Sequence, residues 1–284
     1  MIALFGFFIS ETQGASKKQT FTYFNQGERE LELDVFYPET PPPLKGYPLI
    51  ISLHGGGWII GNKDRDLFLR SMTREGYAVA SVEYRLSGEA KYPAQIEDVR
   101  HAAHWLIQHA KDLQLDPNRM VVTGVSAGGH LALLLAFTQD RQLTAGGSNP
   151  LPVNAIKAVC AFYPPTDLVD IIPEDRRNKS NNLVAALLGA PVSERLAAAQ
   201  NGSPIRHVNK ESPPVFLIHG DRDTLVPQAQ SELLHTALRS AGVECTLVIY
   251  EGAGHGFRPR PKTLEEISRF LDRHVGRQKN SDRN

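Results

Sequence analysis

Cysteine, net charge and long apolar runs are all scarce in this chain. Its 284 residues include only two cysteines, and its 31 basic residues are matched by 31 acidic ones. Two cysteines make neither a disulfide framework nor a cysteine-based zinc site. A formal charge of zero lacks the basic surplus of a nucleic-acid binder, so no nucleic-acid partner is expected. No apolar run approaches the roughly 20 residues that span a bilayer, which argues against a stable membrane span. The run Ile2 to Ile9 is too short for one. It has the character of the apolar segment of a secretory signal, with Gly14, Ala15 and Ser16 following but no basic residue preceding it. Residues 1–19 are therefore expected to be a leader, a signal-peptide remnant, placing the protein outside the cytoplasm or in the periplasm; without it the protein would be cytoplasmic. Residues 276–284 (GRQKNSDRN) read as a polar tail.

What is present is a globular composition, 41% apolar and 22% charged, so a core large enough to hold a catalytic site is available. Thr20 to Tyr37 contains two alternating runs, TFTYF and LELDVFY, separated by NQGERE, which predicts a hairpin. Strand-like and helix-like segments then alternate. LIISL (49–53), YAVASVEY (77–84), MVVT (120–123), Ile156 to Phe162, Val215 to His219 and Cys245 to Tyr250 read as strands. Asp64 to Glu75, Pro93 to Leu113, Ala127 to Phe137, Gln228 to Ser240 and Thr263 to His274 read as helices. This order predicts an α/β fold: a mostly parallel twisted sheet with an N-terminal antiparallel hairpin and helices on both faces. Residues 20–275 are expected to form one catalytic domain, with 164–212 as a partial cap. Cys160 and Cys245, on strands separated by one other, would lie about 9–10 Å apart and stay free thiols.

In such a sheet, ligands bind where strands end, so loops after strands carry the candidates. Gly124-Val125-Ser126-Ala127-Gly128 follows MVVT and opens the helix HLALLLAF. G-x-S-x-G is a weak signal alone, but this strand–turn–helix setting is what a nucleophilic serine on a tight turn requires. A serine hydroxyl needs a base within hydrogen-bond reach. His235 and His274 fall inside helices; His255, in GAGHGF (252–257), falls in a loop after a strand and is favoured. The acid is expected in GDRDTLVP (220–227). Asp221 sits at the start of that turn, where an Asp commonly bonds nearby backbone, and Asp223 is better placed to reach His255. Asp167 is a third, less favoured candidate. His54-Gly55-Gly56-Gly57-Trp58 follows LIISL, and its glycines let backbone approach a substrate oxygen without obstruction. The Ala127 N–H is the natural second donor to a developing oxyanion. His101, His104 and His109 share a predicted helix but lack a carboxylate motif, so no metal site is expected.

HGGGW (54–58), EYRL (83–86), YPAQIEDVRHAAHWL (92–106), GVSAGGH (124–130), HGDRDTLVP (219–227) and GAGHGF (252–257) together resemble the hormone-sensitive-lipase-like branch of the α/β-hydrolase family, and within it the bacterial acetyl-xylan/feruloyl esterase-like (BD-FAE-like) carboxylesterases. The resemblance runs from about Tyr47 to Leu271. It implies an α/β-hydrolase fold, a catalytic triad of Ser126, Asp223 and His255, an oxyanion hole from the Gly56, Gly57 and Ala127 amides, and no cofactor. It implies structural roles for His54, Tyr84, Arg85 and Asp98. Trp58 and Phe257, at the ends of two of these loops, are substrate-pocket candidates. Glu83 departs from the family's usual Asp before Tyr-Arg. Little chain precedes His54 from which to build a helical cap, so an open site is expected, suited to short-chain acyl esters that include acetyl or feruloyl groups on plant polysaccharide. The expected partner is a small ester or acylated polysaccharide. A kynurenine formamidase-like arylformamidase is the alternative; a catalytically inactive binding module is the remote one.

Overall fold

The structure, a computed structural model, describes residues 17–276 apart from 28, 66–67 and 144–146. The expected leader lies largely, and the polar tail almost wholly, outside the described residues. Strands β1 (Lys18–Gln26), β2 (Arg29–Phe36), β3 (Tyr47–Leu53), β4 (Ala78–Val82), β5 (Leu115–Val125), β6 (Ile156–Phe162), β7 (Val215–Gly220) and β8 (Cys245–Tyr250) form one sheet. Their order is β1-β2-β4-β3-β5-β6-β7-β8. β1 pairs with β2, and β2 with β4, antiparallel; every other pair is parallel.

Two-residue periodicity divides each central strand between two cores. Leu49, Ile51 and Leu53 of β3 face one side with Met120 and Val122 of β5 and Leu217 of β7. Ile50, Val121, Cys160, Phe216 and Ile218 face the other. Burial on both faces explains why these strands read as unbroken apolar runs. The first face is covered by α1 (Ala94–Gln108), α2 (Ala127–Phe137) and α5 (Ala229–Ser240). α2 is buried along its whole length, which its apolar sequence AGGHLALLLAF permits. The second face is covered by α6 (Pro261–Val275) through Ile267, Phe270 and Leu271, and by a 3₁₀ segment, Phe68–Glu75, through Leu69 and Met72.

Two helix expectations change. The segment read as an α-helix from Asp64 is 3₁₀ over Phe68–Glu75; a tight i, i+3 turn places both Leu69 and Met72 on the sheet. The helix read as reaching Leu113 ends at Gln108, where the His109 N–H turns back to the Trp105 carbonyl. β5 is longer than MVVT because Leu115, at its start, pairs with Tyr47 before a break in register. Cys160 pairs with Phe216 and Cys245 with Val215, so β7 separates two free, buried thiols. Burial pushes both thiols up.

Between β6 and β7 the chain forms only short helices, α3 (Leu183–Leu188) and α4 (Leu196–Asn201), with 3₁₀ turns at Glu174–Arg176 and Pro204–His207. α3 is stopped at both ends. Asn182 Oδ1 accepts the Ala185 N–H (2.8 Å), and Gly189 adopts a left-handed conformation at the other end.

Arg85, just after β4, is clamped to Asp98 of α1. Its side chain donates to both carboxylate oxygens at 2.7–3.1 Å, and its backbone N–H donates to Oδ2 (2.9 Å). Asp98 is fully buried. Burial pushes its carboxyl up, and the Arg85 bonds and charge oppose that shift. Removing one partner of such a pair strands the other. Asp98→Ala is expected to cost about 3–5 kcal/mol of stability, read from the urea midpoint; a loss below about 1 kcal/mol would show that the clamp contributes no more than a surface pair.

Candidate functional site

Ser126 stands between β5 and α2 with φ 51° and ψ −120°, a conformation that non-glycine residues seldom adopt. It is held there by bonds on both sides. Its N–H donates to the Phe162 carbonyl (2.8 Å), and its carbonyl accepts the His130 N–H (3.0 Å). The two glycines of the motif are steric necessities. A Cβ on Gly124 would lie 2.3 Å from the Gly128 backbone, and one on Gly128 would lie 2.2 Å from the Leu53 carbonyl oxygen. The first turn of α2 thus abuts the end of β3 and brings the HGGG segment beside Ser126.

The segment itself is fixed by the residues flanking it. The Tyr84 hydroxyl donates to the His54 carbonyl (2.8 Å), and the two rings stack with centroids 4.2 Å apart. His54 Nδ1 donates to the Gly55 carbonyl (2.7 Å). Gly56 has φ 110°, and a Cβ there would strike the Ile60 carbonyl oxygen at 2.0 Å. That places a tight reversal after Gly55, closed by the Ile59 and Ile60 N–H groups on the Gly56 carbonyl (3.1 Å each). Among the described residues, the N–H groups of Gly56, Gly57 and Ala127 meet no protein acceptor. Three amide donors are therefore left near one serine.

His255 reaches Ser126 from the loop after β8. Its Nδ1 lies 2.6 Å from Asp223 Oδ2, and its Nε2 lies 3.0 Å from Ser126 Oγ. A carboxylate only accepts, so Nδ1 carries the proton and Nε2 is left as the acceptor for the serine hydroxyl. The Tyr163 ring packs against the imidazole in a T-shaped arrangement, with ring centroids 4.6 Å apart. Tyr163 itself has φ 40° and donates its N–H to the Ile218 carbonyl (2.7 Å).

The three acids considered from sequence occupy different environments. The Asp223 side chain is wholly buried; its Oδ1 accepts the Leu225 and Val226 N–H groups (2.9 Å each), leaving Oδ2 to His255. Asp221 is exposed and accepts the Gly252 N–H (2.7 Å), joining the two loops. Asp167 accepts the Val169 and Asp170 N–H groups in a turn of its own. Burial alone would raise the Asp223 pKa. Hydrogen bonds from His219, His255 and the Val226 N–H outweigh it and hold the carboxyl well below the usual carboxylate range.

His219 is a neighbour of Asp223 to which the sequence assigns no role. It is the penultimate residue of β7, fully buried, with Nε2 2.9 Å from the Val226 carbonyl and 3.4 Å from Asp223 Oδ2, and Nδ1 2.7 Å from Ser231 Oγ. A carbonyl only accepts, so Nε2–H is the donor, and the same proton faces Asp223. The available signal was a histidine at the end of a strand whose other residues are all apolar.

Trp58, a pocket-wall candidate, is buried at 2% exposure with its ring T-shaped to His130. His130 donates through Nε2 to the Gly202 carbonyl (2.7 Å), and burial lowers its pKa to about 4, so it is neutral. Phe257 is half-buried against the Tyr163 and Tyr250 rings, two residues from His255. The three histidines of and just after α1 go separate ways: His101 stacks on Phe24, His104 meets the Asn149 carbonyl and His109 the Trp105 carbonyl. Among the described residues, no helix is long and apolar enough to cross a membrane.

Comparison with known proteins places this geometry. The sequence model of the BD-FAE family matches residues 33–238. Esterase LipQ of Mycobacterium tuberculosis is 30% identical over 225 residues, covering 77% of this chain and 52% of its own length. An ethyl acetate hydrolase of Pseudomonas putida is 29% identical over 243 residues, covering 82% and 73%. The chain thus spans about half the length of LipQ and most of the length of the second relative. Among solved structures, a truncated carbohydrate esterase from gut microbiota superposes with a TM-score of 0.80 at 26% identity, covering 94% of this chain and 99% of that one. Esterase Est2 of the planctomycete Thermogutta terrifontis gives 0.76 at 25% identity, covering 94% and 95%. The sheet order, the serine turn and these superpositions together define an α/β-hydrolase fold.

Proposed function

The chain belongs to the BD-FAE family, and from that premise we propose that it is a serine carboxylesterase acting on short-chain acyl esters. The observation that carries the reading is the unbroken chain from Asp223 through His255 to Ser126, at 2.6 and 3.0 Å, beside three amides without a protein acceptor. His255 Nε2 takes the Ser126 proton as Oγ attacks the acyl carbon. Asp223 holds the imidazole in the tautomer that can accept it and stabilises the imidazolium. The Gly56, Gly57 and Ala127 amides receive the oxyanion. His255 then protonates the leaving alcohol, and water resolves the acyl-enzyme through the same groups.

Short acyl groups are supported by the 164–212 segment, which we read as a partial cap built on α3 and α4, each six residues long. Relatives named for acetate esters and a structural neighbour named a carbohydrate esterase support an acetyl group on carbohydrate as the natural substrate, with feruloyl groups on plant polysaccharide as the other ester to test. Initial rates on p-nitrophenyl acetate, butyrate, octanoate and decanoate test the acyl range. The expected result is a kcat/KM at least tenfold higher on acetate or butyrate than on decanoate; an optimum at ten carbons or more overturns the short-chain reading. Release of acetate from acetylated xylan, or of ferulate from methyl ferulate, tests the natural ester.

A further inference from the structure

We propose that Leu183 is the wall of the acyl subsite and sets the longest acyl chain the enzyme accepts. The inference rests on the esterase reading and deepens it. A Cβ built on Gly57 would lie 2.9 and 3.1 Å from the two δ-methyls of Leu183, so the Leu183 side chain covers the residue assigned to the oxyanion hole. Gly57 has φ 60° and no side chain with which to displace Leu183.

The direction in which Leu183 acts follows from the sheet order. β3, which leads into Gly57, lies on one side of β5, and β8, which leads into His255, lies on the other. The leaving oxygen must face His255 to be protonated. The oxyanion points into the Gly56, Gly57 and Ala127 amides, so the acyl substituent, attached to the same carbon, is directed away from His255, to the side of β5 on which Leu183 lies over Gly57. Of the cap residues, Leu183 is therefore the one that an acyl chain meets first.

The wall is also rigid enough to discriminate. Val184, Leu187 and Leu188 of the same helix are buried in the core, while Leu183 is half-buried. The Leu187 carbonyl accepts the Tyr92 N–H (2.9 Å) and the Ala186 carbonyl accepts Lys91 Nζ (3.3 Å), tying α3 to the chain leading into α1. A helix anchored on one side presents its remaining side chain at a fixed distance.

Acyl-length profiles on p-nitrophenyl acetate through octanoate, for wild type, Leu183→Ala and Leu183→Phe, test the proposal, with 1-naphthyl acetate beside p-nitrophenyl acetate to follow the alcohol. One methylene in an apolar pocket changes selectivity about 10-fold or more. Leu183→Ala is expected to raise the octanoate-to-acetate ratio of kcat/KM at least tenfold, and Leu183→Phe to lower the butyrate-to-acetate ratio. The naphthyl-to-nitrophenyl ratio is expected to stay within twofold. An acyl ratio unmoved in both variants overturns the assignment, and so does a shift confined to the alcohol ratio. Should Leu183→Ala fail to fold, Leu183→Val and Leu183→Phe carry the same comparison. A wild type that turns over no ester removes the esterase reading itself, whereas good acetate turnover with unmoved ratios removes only Leu183.

Discussion

Replacing Ser126 with alanine is expected to lower kcat/KM on p-nitrophenyl acetate by about 10⁴-fold or more, and His255→Ala by a similar factor. The double variant is expected to lose little beyond either single one. The reason is geometric. Ser126 Oγ has one base within reach, and His255 Nε2 has no other role in the site than to take and return that proton. Once either is absent, the other has nothing to act on, and what remains is the binding and the amide donors. The alanine at 126 keeps the Cβ that the φ 51° turn already accommodates, so the fold is expected to survive, with an unchanged unfolding midpoint as the control. A fluorophosphonate probe should label the wild type and fail on Ser126→Ala. Losses that multiply in the double variant would mean that the two residues act separately, and the proposed mechanism would fall. Labelling that persists without Ser126 would place the nucleophile elsewhere.

Which parts of this site were legible in the sequence depends on whether backbone or tertiary packing sets them. The G-x-S-x-G turn is legible because backbone crowding demands its glycines: a Cβ on Gly124 would lie 2.3 Å from the Gly128 backbone of the same turn, and one on Gly128 would lie 2.2 Å from the Leu53 carbonyl oxygen of the neighbouring strand. The central strands are legible because both their faces are buried, which leaves an apolar run. His255 is legible because the competing histidines fall in helical patterns. The burial of Trp58 is not legible. Its neighbours in sequence are glycines at a loop, which suggests exposure, yet its indole packs against His130 from a different element. His219 has no role legible in HGDRDTLVP, because its partners, Val226 and Ser231, become neighbours only when the loop after β7 folds back. Leu183 carried no local signal. Its position over Gly57 depends on a helix of six residues whose start is fixed by one asparagine side chain.

Asp223→Asn is expected to be nearly as damaging as loss of the nucleophile, about 10⁴-fold in kcat, and more damaging than the loss of charge alone would suggest. Asp223 Oδ1 sits on two backbone N–H groups, from Leu225 and Val226, so that position demands an acceptor. An asparagine must keep its carbonyl oxygen there. Its amide nitrogen is then forced into the place of Oδ2, where it points donor hydrogens at His255 Nδ1 and also meets the Nε2–H of His219. His255 answers by shifting its proton to Nε2, and an Nε2–H can no longer accept from Ser126. Asp223→Ala imposes no tautomer and is expected to retain more activity than the asparagine variant; the reverse order would refute the orientation argument. The two variants also separate in stability. Because the folded Asp223 pKa is depressed, its contribution is complete above the unfolded value of about 3.9 and is lost as pH falls below it toward the folded value. The wild type is therefore expected to lose stability across that acidic interval more steeply than Asp223→Asn, which has no proton to take up at this position. Parallel curves of unfolding midpoint against pH would show that the carboxylate's bonds to His255, His219 and the loop amides contribute nothing to the fold.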